Sequence, residues 1–106
     1  MSSSRDFIDF VLDKLEEQAI FSTRAMFGEY ALYANSKVVG LICNDTVYIK
    51  ILPASKDLES ECEKDYPYPG AKLYYVVTEE QLDSIPNLVQ ILLSISRSLP
   101  AKKKLF

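Results

Sequence analysis

The chain has 106 residues, 48% of them apolar, and its 12 basic and 15 acidic residues give a formal net charge of −3. It contains no histidine, which excludes Ser–His and Cys–His nucleophile pairs and histidine-ligated zinc sites. The length fits one domain with its own core, so we predict a single domain over residues 1–106, with residues 99–106 as a flexible basic tail.

The cysteines and the apolar runs indicate a protein of the cytoplasm. Cys43 and Cys62 are too few for a four-thiolate zinc site, and we expect both thiols to be reduced. The N-terminus lacks the pattern of a signal peptide, and no run approaches the ~20 apolar residues that cross a membrane. We therefore expect a cytoplasmic protein with no membrane association, and we expect no metal or other cofactor.

The N-terminal segment has the periodicity of an amphipathic helix. Its apolar residues follow the spacing of one helical face, and acidic residues occupy the other face. The apolar set comprises Ile8, Val11, Leu12, Leu15 and Ala19. An acidic polar face argues against binding to a membrane surface, so we expect this helix to pack on the rest of the fold.

The segment that follows predicts a three-stranded antiparallel meander. It is rich in Val, Ile, Tyr and Phe, which suit strands, and it is divided by Asn35-Ser36 and Asn44-Asp45. Asn and Asp tolerate the left-handed conformations of tight hairpins, so both breaks read as turns. The predicted strands are Arg24–Ala34, Val38–Cys43 and Thr46–Ile51.

Shorter elements are predicted in the second half. Ser55 is a candidate cap for a short helix through Asp65. Pro69-Gly70 suits the centre of a type II turn, and Leu73–Thr78 reads as a fourth strand. Thr78 has the spacing of a capping box with Gln81, which predicts a further helical turn.

The C-terminal part predicts a second amphipathic helix, with Ser84 as its cap and Pro86 in its first turn. Its apolar face carries Leu88, Ile91, Leu92, Ile95 and Leu99. The predicted fold class is therefore α+β: a single antiparallel sheet of about four strands, flanked by N- and C-terminal amphipathic helices.

Three blocks of this sequence resemble the TfoX N-terminal domain family. The first, Arg24–Tyr33, is similar to the family's R-x-M-F-G-x-x-x-L-Y signature. The second, Val39–Lys50, resembles its apolar strand, turn aspartate and Tyr-hydrophobic-Lys strand. The third comprises Tyr68, Lys72 and Tyr74–Val77. The resemblance implies an antiparallel sheet with flanking helices. It also implies an association with natural competence, where full-length members act with the cAMP receptor protein at promoters.

We expect the interaction surface to consist of Arg24, Phe27, Tyr30, Tyr33 and Lys50. Both alternating sets of side chains on the first strands are apolar, whereas a sheet with one wet face alternates more cleanly. Either helices cover both faces, or a second subunit covers one. We therefore favour a module that acts by protein–protein contact, as a homodimer or with another protein, in transcription regulation.

Alternative readings remain open at this stage. Arg24 could bind an anion or a partner's carboxylate, or it could pair with a carboxylate of the first helix. Gly28 could mark a bulge or a close approach of a ligand to the backbone. Seven tyrosines interleaved with basic residues could stack on nucleic acid, but the acidic balance argues against direct binding.

Catalysis is also disfavoured. No nucleophile has an evident activating base, and the acidic residues at 57–63 do not converge as an acid–base pair would. We therefore expect no enzyme and no catalytic residues. A small-ligand site near Tyr68 and Lys72 is a weaker alternative.

Overall fold

A six-stranded antiparallel sheet forms the framework of the domain, and its strands run in the order β1-β2-β3-β4-β6-β5. The computed structural model describes residues 5–15, 20–26, 29–85 and 87–99. In chain order, the elements are α1 (Arg5–Leu15), β1 (Phe21–Met26), β2 (Glu29–Ala34), β3 (Lys37–Cys43), β4 (Thr46–Lys50), a 3₁₀ turn (Pro53–Leu58), β5 (Glu63–Asp65), β6 (Tyr74–Val77), α2 (Glu79–Ser84) and α3 (Leu88–Ser98).

The α+β class is confirmed, whereas the expected number of strands was wrong. The sheet has six strands instead of about four, and the meander has four strands instead of three. The predictions for Ala19, Phe27, Gly28, Pro86 and residues 100–106 lie outside the described residues and stay predictions.

The first predicted strand, Arg24–Ala34, is in fact a hairpin. Met26 pairs with Glu29, and the register continues from there to Phe21 opposite Ala34. Only two residues connect the strands, so the apolar residues of β1 and β2 read as one run in the sequence. Side chains alternate separately along β1 and β2, so Arg24 and Ala31 share a face, although they would lie on opposite faces of one continuous strand.

The two predicted hairpin turns are confirmed. Asn35 and Ser36 have φ of 52° and 68°, and Asn44 and Asp45 have φ of 54° and 57°. Positive φ at both central residues is the type I′ geometry, whose twist matches that of the flanking strands. The turns therefore fix the pairing of β2 with β3 and of β3 with β4.

The predicted helix from Ser55 to Asp65 is replaced by the 3₁₀ turn and by β5. The predicted cap role of Ser55 was wrong: the cap residue is Leu52, and Ser55 is the third residue of the turn. Its hydroxyl accepts a hydrogen bond from the Leu52 amide at 2.9 Å and donates one to the Lys50 carbonyl oxygen at 2.7 Å. Leu58 and Cys62 are buried as expected. The segment has only two apolar side chains to bury, so packing would stabilise a helix there only weakly. Residues 63–65 pair with β6 instead.

The ends of the last two helices also differ in part from expectation. Thr78 and Gln81 form the predicted capping box at the start of α2, with hydrogen bonds of 3.0 and 3.2 Å. Ser84, however, is the last residue of α2, and the cap residue of α3 is Asn87, with φ of 61°. The predicted role of Ser84 as the cap of α3 was therefore wrong.

The core lies between one face of the sheet, here called the helix face, and the helices. The register places Phe21, Leu32, Ile42 and Val47 on this face. The helices contribute the apolar positions that the sequence predicted. Their buried side chains include Ile8, Val11, Leu15, Leu82, Leu88, Ile91, Leu92 and Ile95.

Hydrogen bonds between α3 and the β2–β3 hairpin supplement this packing. The buried Ser96 hydroxyl donates to the Ala34 carbonyl oxygen at 2.7 Å. Lys37 Nζ donates to the carbonyl oxygens of Ser96 and Leu99 at 3.1 and 3.0 Å, at the end of α3 where a positive charge is favoured. These contacts fix α3 on the helix face and leave the opposite face of the sheet without it.

Candidate functional site

The opposite face of the sheet carries most of the half-buried tyrosines, and we call it the tyrosine face. The strand register assigns its side chains by alternation across the pairs. Among the residues whose side chains the structure describes, its members are Ser22, Arg24, Glu29, Ala31, Tyr33, Val38, Leu41, Cys43, Thr46, Tyr48, Lys50, Glu63, Asp65, Tyr74 and Val76. All three helices contribute to the core on the helix face, so helices cover one face of the sheet and not both.

The centre of the tyrosine face is apolar. Ala31, Leu41, Tyr48 and Val76 follow one another in register across β2, β3, β4 and β6. Ala31 is fully buried, and Leu41 is only 5% exposed, although both lie on the face that the helices leave free. Neighbouring side chains must therefore close over them, and Tyr48 and Val76 stay half-buried at the surface.

An aromatic loop, residues 66–72, adjoins this face. The Cys43 thiol donates a hydrogen bond to the Pro67 carbonyl oxygen at 3.3 Å, which ties the loop to the end of β3. The predicted turn at Pro69-Gly70 is present: Gly70 has φ of 87°, and the Ala71 amide donates to the Tyr68 carbonyl oxygen at 3.1 Å. This loop therefore places further aromatic side chains beside the tyrosine face.

Two of those side chains are open to solvent. Tyr66 is 57% exposed and Tyr68 is 43% exposed. They line an open depression of about 630 Å³ that the loop forms with its own residues, from Tyr66 to Ala71. Lys72 is exposed and does not line it. Exposed aromatic rings of this kind are typical anchors in protein interfaces, because they bury a large area with few rotatable bonds.

The titratable groups at the centre of the face are kept neutral. Burial raises the pKa of the Tyr48 phenol, with a smaller effect of Asp65, and burial raises the pKa of Tyr74. Burial also raises the pKa of the Cys43 thiol, helped by the negative charge of Glu29. A protonated phenol donates and accepts hydrogen bonds, whereas a protonated thiol is a poor nucleophile.

The structure brings together three of the five predicted surface residues. Arg24, Tyr33 and Lys50 all lie on the tyrosine face. Tyr30 lies on the helix face opposite Ile42, where it packs partly buried against the core. Phe27 lies outside the described residues. Tyr30 therefore does not share the tyrosine face with Tyr33, and its part in an interaction surface stays a prediction.

The residues predicted for the interaction surface did not include Leu41, Tyr48 or Tyr74. Tyr48 and Tyr74 alternate with buried residues along their strands, which identifies a half-buried strand but not its face. Only the pairing of β3, β4 and β6 places these residues beside Ala31. Their shared face could have been found only from the order of the strands.

Arg24 is exposed, and within the described residues it forms no ion pair or hydrogen bond. The predicted pair with a carboxylate of α1 is thus not formed in the part of the chain that the structure describes. Instead, the guanidinium lines an open cavity of about 280 Å³ together with Ser22, Thr23, Tyr33 and Ser36. Hydroxyl groups beside a guanidinium form a setting in which an oxyanion can bind.

Two further features bear on metals and membranes. Among the described residues, no three Cys, Asp or Glu side chains converge as a metal site would require. The helices of the described chain are also too short to cross a bilayer, since the longest, α1 and α3, have 11 residues each.

Comparison with known proteins identifies relatives of the whole domain. The family model described as the TfoX N-terminal domain matches residues 13–95 of this chain. Over 103 residues the chain is 33% identical to a protein of Spirochaeta aurantia described as "Uncharacterized 12.7 kDa protein in trpE 5'region". That match covers 97% of this chain and 89% of the relative.

Proposed function

Because this chain belongs to the TfoX N-terminal domain family, we propose that it is a non-catalytic binding module that acts through protein–protein contacts in transcription regulation. The regulated genes would be of the competence type, as the resemblance of the first block suggests. Its place of action would be the cytoplasm, and its partner another protein or a second copy of itself.

The observation that carries this proposal is the apolar centre of the tyrosine face. Leu41, Tyr48 and Val76 form a continuous row on a face that the helices leave free. Apolar surface framed by tyrosines, with charged groups such as Arg24 and Lys50 at its margin, matches the composition of protein interfaces. A partner on this face would remove the tyrosine rings from water while their hydroxyls found new hydrogen bonds.

Two matched valine variants test the surface. Val76 and Val89 are both half-buried, but Val76 lies on the tyrosine face, whereas Val89 lies on α3 and packs against the core. Circular dichroism therefore first establishes that each lysine variant is folded. The wild-type protein, Val76→Lys and Val89→Lys are each used for affinity purification from native cells, followed by mass spectrometry. We expect wild type and Val89→Lys to recover the same transcription component, and Val76→Lys to lose it. Loss with both variants, or with neither, contradicts the proposal.

The homodimer is tested separately by sedimentation equilibrium at high micromolar concentration. Dimerisation through the tyrosine face predicts that Val76→Lys is monomeric while Val89→Lys remains a dimer. A strictly monomeric wild-type protein contradicts the homodimer and leaves the partner protein as the binding mode.

Nucleic acid is the competing partner class. Binding through phosphate contacts must weaken steeply with salt, because each contact releases counterions. Fluorescence anisotropy with a labelled single-stranded oligonucleotide, from low to physiological salt, measures this dependence. We expect no binding even at low salt. Salt-sensitive binding of the oligonucleotide by the wild-type protein would favour nucleic-acid recognition instead.

A further inference from the structure

Strand β1 is an outer strand of the sheet, and its backbone groups can be assigned one by one. The Asn35 amide donates to the Ile20 carbonyl oxygen at 3.0 Å, so Ile20 and Asn35 are a hydrogen-bonded pair. Hydrogen-bonded and non-hydrogen-bonded pairs alternate in antiparallel sheets. Ser22 and Arg24 therefore bond to β2, whereas the N–H and C=O groups of Phe21, Thr23 and Ala25 point away from it.

This free edge has room for another strand. Within the described residues, no other segment pairs with β1 on its outer side. Ser22, Arg24 and Ala25 are exposed, and Thr23 is half-buried. Unpaired strand edges are templates for an additional strand, and proteins usually protect them with charges or by keeping the strand short.

The opposite edge of the sheet is protected in this way. Strand β5 has only three residues, Glu63, Lys64 and Asp65, and all three are charged and exposed. β1 has six residues, of which only Arg24 is charged. The β1 edge is therefore better suited than the β5 edge to pair with an added strand.

The position of Arg24 indicates which side chain the added strand should have opposite it. A strand that bonds to Phe21, Thr23 and Ala25 places Arg24 in a non-hydrogen-bonded pair, where opposing Cα atoms are only about 4.5 Å apart. The side chain directly opposite is then within reach of the guanidinium. Arg24 has no ion-pair partner among the described residues, so an opposing carboxylate would supply one.

We propose that β1 binds an extended segment of a protein partner as a seventh strand, with an acidic side chain of that segment opposite Arg24. This inference rests on the proposed function, since it names the partner's binding mode and its chemistry. The cavity of about 280 Å³ beside Arg24 receives the carboxylate, and the Ser22, Tyr33 and Ser36 side chains line it.

A second copy of this chain fits the edge less well. When β1 pairs antiparallel with β1 of another copy, the alternation of hydrogen bonds restricts the register. Within the described strand, the residue opposite Arg24 is then Ser22, Arg24 or Met26 of that copy. None of these carries a carboxylate, and the register that pairs Arg24 with Arg24 places two guanidinium groups together. Charge complementarity therefore favours an acidic partner.

Phage-displayed random linear peptides, selected on the immobilised full chain, provide the test. We expect enriched sequences to have strand-forming residues alternating about one Asp or Glu. Synthetic peptides of the enriched sequence, with the acid and with its Gln or Asn counterpart, are then titrated by fluorescence anisotropy. The acidic peptide should bind about two- to fivefold more tightly than its amide counterpart.

Two pairs of variants locate the binding. Thr23→Pro removes an outward N–H without breaking the ladder to β2, whereas Thr23→Val keeps the backbone and replaces only the hydroxyl. Circular dichroism establishes that each variant is folded. We expect Thr23→Pro to weaken peptide binding at least about tenfold and Thr23→Val to change it less than about twofold. Arg24→Glu should reverse the preference, so that a Lys-containing peptide binds better, while Arg24→Lys keeps the preference for the acid.

Several results would overturn the inference. They are the absence of any enriched peptide, enrichment without an acidic residue, and equal peptide binding by folded Thr23→Pro and wild type. If Thr23→Pro fails to fold, the Arg24→Glu reversal alone decides. Self-association of wild type that Thr23→Pro abolishes and Thr23→Val leaves intact would assign the edge to a second copy.

Affinity purification with Thr23→Pro separates this inference from the proposed function. If Val76→Lys loses the cellular partner and Thr23→Pro keeps it, the partner binds the tyrosine face and the proposal of strand addition at β1 is wrong. If Thr23→Pro loses the partner and Val76→Lys keeps it, the partner binds β1 and the proposal for the tyrosine face is wrong. If both variants keep the partner, both proposals fail.

Discussion

The Ser96 hydroxyl donates a 2.7 Å hydrogen bond to the carbonyl oxygen of Ala34, across 62 positions of the chain. Both groups are buried, so Ser96→Ala would remove a buried hydrogen bond between α3 and β2. We expect a loss of about 0.5–1.5 kcal/mol in the free energy of unfolding, measured by urea denaturation. The exposed Ser98 hydroxyl bonds only within its own helix, and Ser98→Ala should cost less than about 0.5 kcal/mol. Equal losses in the free energy of unfolding for the two variants would contradict a larger contribution from the long-range hydrogen bond.

Gly40 lies where β3 and β4 approach each other closely. A Cβ atom at this position would overlap the carbonyl oxygen of Tyr48 and lie 3.2 Å from its carbonyl carbon. Because backbone atoms of a paired strand cannot yield cheaply, Gly40→Ala should cost about 1–3 kcal/mol or more in the free energy of unfolding. Thermal and urea unfolding followed by circular dichroism measure this cost.

Gly70→Ala is the control for that variant, because a Cβ atom there meets nothing within 4 Å. Its cost should come only from the positive φ of 87° and should be about 1 kcal/mol. A Gly40→Ala protein as stable as wild type would contradict the close approach of the two strands.

Ser36 offers a stabilising substitution. It lies at the second central position of a type I′ turn, with φ of 68°, a conformation that costs most L-residues about 1–2 kcal/mol. Asn-Gly is the preferred sequence for this turn, so Ser36→Gly should raise the free energy of unfolding by about 0.5 kcal/mol after the greater entropy of the unfolded chain is subtracted. Ser22→Gly, in a strand, should have the opposite sign. A destabilised Ser36→Gly would indicate that the Ser36 side chain stabilises the turn.

Cys62 should contribute to loss of stability at alkaline pH. Burial, with a smaller effect of Glu61, raises the pKa of its thiol from 9.0 to about 11. The folded protein therefore holds this proton in the range where the unfolded chain has lost it, so stability falls as pH rises from about 9 to 11. Comparing urea denaturation of wild type and Cys62→Ala over this range isolates the contribution. Parallel curves for the two proteins would rule out the raised pKa.

Glu59 should contribute to the loss of stability at acid pH. Its carboxylate accepts hydrogen bonds from Lys64 at 2.8 Å and from the Tyr75 hydroxyl at 3.0 Å, and these bonds lower its pKa below the ordinary 4.5. The folded state thus favours the ionised form, and the stability it provides is present above pH 4.5 and lost as pH falls through the lower folded value. Glu59→Gln should flatten the fall in melting temperature below pH 4.5, and a fall as steep as that of wild type would contradict this role of Glu59.

Local signals in the sequence predicted the helices and the turns. The spacing of Ile8, Val11 and Leu15 is sufficient to identify the buried side of α1, because helical periodicity needs no knowledge of the partner. Asn35-Ser36 and Asn44-Asp45 likewise identify their turns by backbone preference alone. Strand β5 gave no such signal, since Glu63-Lys64-Asp65 is held by backbone pairing with β6 and buries no side chain.

The interaction surface depends on long-range pairing and could be predicted only in part. Arg24, Tyr33 and Lys50 were identified from their residue types, but Tyr30 was assigned to the same surface although it faces the core. Tyr48 joins the surface because β4 pairs with β3, and Tyr74 because β6 pairs with β4 after a chain excursion of more than 20 residues. No local pattern contains that information.

Strand β3 lies between β2 and β4, and from Val39 to Cys43 every residue is buried, on both faces of the sheet. Amides bonded within such a strand cannot meet solvent through a local fluctuation, so they exchange with deuterium only when the whole domain opens. The slowest amide protons of the protein should therefore be those of β3, and their exchange rates would report the global free energy of unfolding without any denaturant. The amides of Phe21, Thr23 and Ala25, which face outward from β1, should exchange within the dead time of the same experiment, and a bound strand would slow them selectively.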